Sequence, residues 1–92
     1  MASSVIRHER NIISITVTHG TVEAGQANTV TINDSRFSGT DLVSSPQILG
    51  NYNSDITPWS FYTTTGTLVS RIKNLGTNTA TNIIVNYKVL LS

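Results

Sequence analysis

Two histidines, His8 and His19, are the side chains of this chain that could act as a base near neutral pH. A catalytic hydroxyl needs such a base within hydrogen-bond reach, and a third group to orient it. Neither histidine lies in a spacing that supplies those partners, and neither GxSxG nor HExxH occurs. His19, followed by Gly20, reads as a turn residue, and His8 as part of a polar N-terminal segment. Asp34, Asp41 and Asp55 could gather with Asn51 and Asn53 around a calcium ion, but their spacing follows no calcium loop. Asx turns, in which the carboxylate caps its own downstream backbone, are the better reading of all three. The chain is therefore expected to be no enzyme and to hold neither metal nor cofactor. One other constellation could recognise a ligand: Trp59 with Tyr52 and Tyr62 as an aromatic platform for a sugar ring, Asn51 and Asn53 adding directional polar contacts. Against it, Trp59 alternates with Phe61, which places the indole in a core.

The elements that must position these residues are strands. Residues 11–18 alternate, with Ile13, Ile15 and Val17 on one face and Ser14, Thr16 and Thr18 on the other. Residues 29–33 repeat the alternation with Val30 and Ile32 inward, and the turn signals between the two runs predict an antiparallel hairpin. The pattern breaks over 34–40. It resumes over 41–50 as an extended segment, which Pro46, lacking an N–H, confines to an edge or a bulge. A strand over 58–63 turns at Thr64-Thr65-Gly66 into another over 67–74, where Leu68 and Ile72 point inward. The longest runs over 81–91, with Ile83, Val85, Tyr87, Val89 and Leu91 on one face; its other face, Ile84, Asn86, Lys88 and Leu90, is apolar at both ends. Short connections leave no room for crossover helices, so the fold class is all-β: an antiparallel β-sandwich of about six to eight short strands. Residues 11–92 form one such domain, and residues 1–10 an N-terminal arm.

Composition limits what such a domain can do. Ninety-two residues with no Cys give a small core and no disulfide, which leaves partner subunits as the support a small domain needs. Charged residues make up 12 % of the chain and the net charge is +1, far from the basic stripe that nucleic acid requires. No apolar run is long enough to span a membrane, and the opening residues lack the apolar stretch of a signal peptide, so synthesis in a cytosol is expected. The surface is dressed in Thr, Ser and Asn, which lose little side-chain entropy when ordered in a permanent contact.

The stretches Ile15-Thr16-Val17-Thr18-His19-Gly20-Thr21-Val22-Glu23-Ala24-Gly25, Thr29-Val30-Thr31-Ile32-Asn33-Asp34-Ser35-Arg36-Phe37 and Asn82-Ile83-Ile84-Val85-Asn86-Tyr87-Lys88-Val89 resemble small β-sandwich proteins on the virions of tailed bacteriophages. These are head decoration (cement) proteins and fibre-tip domains, with a distant likeness to H-type lectin folds. The resemblance covers most of the chain and rests on a pattern of strands, with no catalytic signature. It implies a subunit made in the host cytoplasm and carried on the capsid exterior, acting as a homo-oligomer, in particular a trimer, that binds the major capsid protein and stabilises the shell. The alternative it implies is a glycan- or receptor-binding module at a tail fibre or spike. Two groups of residues fit the first role. Val5 and Ile6 form an apolar anchor flanked by Arg7 and Arg10, able to order on a partner, and Ile84 and Leu90 form an apolar patch on the second face of the last strand.

Overall fold

Alternating β-branched residues build almost every element of the computed structural model, which describes residues 11–51 and 55–92, Asn51 by its backbone alone. In chain order the strands are β1 (Ile12–Val22), β2 (Ala27–Ser38), β3 (Leu42–Val43), β4 (Gln47–Asn51), β5 (Ile56–Asn74) and β6 (Ala80–Leu90). No α-helix occurs among the described residues. Two antiparallel sheets pack face to face. In the first, β6 is central, with β1 along one side and β3 and β4 in succession along the other; in the second, β2 pairs with β5. The expected all-β sandwich is the fold.

β5 is extended over 19 residues but is not one straight ribbon. At about 3.3 Å per residue it would reach roughly 60 Å, longer than the molecule's 54 Å extent. The chain doubles back instead: Leu75 N–H donates to Asp55 O at 2.9 Å, and Lys73 and Arg71 lie against Trp59. Thr64 and Thr67, whose hydroxyls bond one another, flank the bend. Gly66 takes φ +84° there, the left-handed conformation that the third position of a type II turn demands. The two strands and the turn expected over 58–74 are therefore present.

The predicted hairpin between the first two strands is not. β1 and β2 belong to opposite sheets, and the Glu23–Gln26 turn carries the chain from one layer to the other. Asn74, fully buried, secures that crossing: its backbone bonds Gly25 and Gln26, and its side-chain amide donates to Val22 O and Asn78 O while accepting from Gly76 N–H. β1 also runs four residues past Thr18, so His19 and Gly20 lie within a strand, where the register with β6 shifts. β2 likewise runs on into the expected break as far as Ser38, which leaves only Gly39 and Thr40 of it outside the strand. Its pairing with β5 shifts between Asn33 and Ser38, so the extra residues bulge outward and Phe37 still turns into the core at 2 % exposure.

The core lies between the layers and consists of Val17, Val22, Phe37, Ile56, Leu68, Ile72, Ala80, Ile83, Val85, Tyr87 and Val89. Ile13, Ile15, Val30, Ile32 and Leu91, all expected inward, pack against its rim. Each large side chain buried here contributes about 1.5–3 kcal/mol. Pro46 falls in the gap between β3 and β4, where no ladder bond is asked of it.

Candidate functional site

The outward face of the first sheet is organised in rows. Ile12 pairs with Leu90, which pairs on its other side with Leu42. Three apolar side chains thus lie abreast on adjacent strands, and Leu42 is 67 % and Ile12 47 % exposed. With Val43 they line a cleft of about 230 Å³. At the opposite end Thr18, Ile84 and Leu49 form a second row. Between the ends, Ser14, Thr16, Ser44, Gln47, Asn86 and Lys88 are among the residues around a groove of about 390 Å³. Here Thr16 donates to Asn86 Oδ1 at 3.0 Å, and Lys88 N–H to Ser44 Oγ. Leu90 and Ile84, the two apolar residues expected on this face, are both half-buried within it. Sequence reasoning missed Ile12, Leu42 and Leu49; the alternation over 11–18 carried the signal for Ile12, but β3 with its two residues is too short to show one for Leu42.

The second sheet presents a different surface. Trp59 is 52 % exposed, which corrects the expectation that it shares the core with Phe61. Phe61 does turn inward, its ring 5.7 Å from that of Tyr87, and Thr63 is buried two residues on. The alternation is interrupted between Trp59 and Phe61, just beyond Pro58, whose missing N–H breaks the ladder. Trp59 lies on the outer face instead, with the Lys73 ammonium 4.3 Å and the Arg71 guanidinium 5.3 Å from its ring centre. Tyr62 is 48 % exposed. Tyr52, the third member of the expected platform, lies outside the described residues, as do Val5, Ile6, Arg7 and Arg10.

A third constellation is internal. His19 Nδ1 lies 2.7 Å from Asn28 Oδ1, His19 Nε2 lies 2.8 Å from Ser70 Oγ, and Ser70 Oγ lies 2.6 Å from the Tyr87 hydroxyl. A carbonyl oxygen accepts, so the imidazole carries its proton on Nδ1; Nε2 then accepts from Ser70, and Ser70 from Tyr87. This one-way relay ties β1 and β6 of the first sheet to β2 and β5 of the second. Burial holds the His19 pKa below its ordinary value, the Asn28 bond opposing it. The same burial pushes the Tyr87 hydroxyl up, and the bond to Ser70 opposes that shift. A hydroxyl, an imidazole and an amide in this order have the spacing of a nucleophile, its base and an orienting group. Ser70, however, is 0 % exposed, so its oxygen faces the core, and the relay acts as a polar bridge between the sheets.

The carboxylates divide. Asp34 makes the expected Asx turn, accepting from Arg36 N–H, and its ion pair with Arg36 lowers its pKa to about 2. Asp41 does not cap its own downstream loop. It accepts from the nearby Ser38 N–H and from Thr63 Oγ1 and Ser92 N–H, clasping the end of β2 to two segments distant in the chain. Burial would raise its pKa, yet these bonds outweigh it and hold the carboxyl well below the usual range. Among the described residues no three His, Cys, Asp or Glu side chains group as metal ligands. Compared with protein-family models, with curated proteins and with solved structures, the chain matches none.

Proposed function

We propose that the protein is a structural subunit of a tailed-phage virion, an oligomeric decoration protein that docks on the capsid exterior and stabilises the shell. The observation that carries this reading is the exposed apolar row Ile12, Leu90 and Leu42 on the outward face of the first sheet. A domain this small with no disulfide gains from having such a row covered by another subunit. The location of the row adds to the argument. Residues 1–10, with the apolar pair Val5 and Ile6 and the flanking Arg7 and Arg10, join the domain at Asn11, whose carbonyl accepts from Leu91 N–H beside that row. The hydroxyl and amide groove beyond supplies polar contacts of low ordering cost. In this account the sheet face and the arm together clamp neighbouring subunits of the major capsid protein, and the trimer follows from the resemblance to decoration proteins. The role requires neither catalysis nor a cofactor.

The reading is tested on expanded capsids, by comparing the wild-type chain with a deletion of residues 2–10 and with Leu42→Asp. Both variants are expected to keep the β circular dichroism and to lose occupancy on the shell. Unchanged occupancy in both, or a copy number that follows the tail and not the shell, contradicts the proposal.

A further inference from the structure

The outward face of the second sheet makes no use of the apolar row, yet it concentrates the sole Trp of the chain and two cations. We infer that Trp59, Arg71 and Lys73 form a binding site for an anionic sugar, a pyranose unit bearing a carboxylate or a sulfate.

Three observations converge on that ligand. Trp59 is half exposed although it is the largest apolar side chain available to a core, so part of its indole is left to meet the C–H groups of a sugar ring. The Lys73 and Arg71 charges lie over the ring, 4.3 and 5.3 Å from its centre, which holds two flexible cations against the platform before any ligand arrives. A guanidinium so placed pairs bidentately with a carboxylate or sulfate, and the ammonium adds a second charge. Elsewhere in the described chain Arg36 is committed to Asp34, whereas Arg71 and Lys73 direct their charge at the indole. Finally, Thr29 and Thr31 of β2 stand in register with Arg71 and Val69, and Asn33 with Thr67. These short hydroxyl and amide groups offer directional hydrogen bonds at little entropic cost. They complement a ring rich in hydroxyls, whereas an acidic peptide would engage the two cations and leave the indole and this hydroxyl row unused. Sequence reasoning named the aromatic half of this site but not the cations, because only the doubling back of β5 brings residues 71 and 73 beside residue 59.

The experiment titrates the full chain with oligogalacturonate, with sulfated dextran and with neutral dextran, following Trp59 emission and binding heat. Saturable binding is expected for oligogalacturonate or sulfated dextran, the preferred one identifying the anion, with neutral dextran weaker by on the order of tenfold or more. Arg71→Gln and Lys73→Gln, each checked by circular dichroism, should each weaken binding by about tenfold, and Trp59→Ala should do the same by calorimetry. Equal binding of neutral dextran, equal binding of polyglutamate, no binding of any anionic sugar, or full affinity in the folded glutamine variants overturns the site. None of these results bears on the apolar row of the first sheet, so this inference and the decoration role fail or stand separately.

Discussion

Acidification between neutrality and about pH 5 should destabilise this domain through His19, the one histidine among the described residues. The imidazole is neutral in the fold because Nε2 must accept from Ser70 while Nδ1–H donates to Asn28. Protonation turns Nε2 into a donor, and Ser70 must then reverse its hydroxyl toward Tyr87, a group that is itself donating. Burial depresses the folded pKa from 6.5, outweighing the Asn28 bond, which raises it. Between the two values the unfolded chain binds the proton and the folded chain does not, so the stabilisation is complete above pH 6.5 and is lost as pH falls toward the folded value. The slope is up to about 1.4 kcal/mol per pH unit, which is a large share of the stability of so small a domain. Asp34 and Asp41 do not obscure this window, because depressed carboxylate pKa values make their contributions vanish only below about pH 4. Other groups in or facing the relay are Asn28 and Ser70, which do not titrate here, and Tyr87, whose shift is upward from 10. Urea unfolding at steps from about pH 7.5 to about pH 5 measures the slope in the wild type and in His19→Gln. A flat wild-type profile, or an equal slope in His19→Gln, refutes the reasoning.

Three further outcomes follow from the contacts. Ser70→Ala leaves the Tyr87 hydroxyl and His19 Nε2 without their shared partner, and urea unfolding should show a loss of about 2–5 kcal/mol. Asp41→Ala releases the Ser38, Thr63 and Ser92 donors at a half-exposed site, costing about 1–3 kcal/mol; a change in thermal midpoint within error contradicts the clasp. Gly50 and Gly66 both have positive φ, but a Cβ on Gly50 would lie 2.3 Å from Asn82 O, whereas Gly66 has open space. Gly66→Ala should therefore cost about 1 kcal/mol and Gly50→Ala at least about 2 kcal/mol more, and equal losses exclude the steric account.

What the sequence made legible was what repeats every second residue. Ile13, Ile15 and Val17, and then Ile83, Val85, Tyr87 and Val89, point inward because alternation dictates it. Gly66 was legible because a left-handed turn residue stands between two alternating runs. Strand partners were not: the same Gly-containing turn serves a hairpin or a crossing between layers, and only Asn74, far away in the chain, makes the Glu23–Gln26 turn a crossing. His19 was misread for the same reason, since Ser70 lies 51 residues from it and no local pattern records that pairing. Trp59 was misplaced because one interruption near Pro58 reverses the face on which a side chain emerges.

The central claim, that the outward face of the first sheet is an interface, is tested most directly by sedimentation of the wild-type chain and Leu42→Asp at micromolar concentration. Leu42 is 67 % exposed, so the charge should cost the folded subunit little. The wild type should sediment as an oligomer and Leu42→Asp as a folded monomer. A wild-type monomer, or a Leu42→Asp oligomer of undiminished affinity, contradicts the claim.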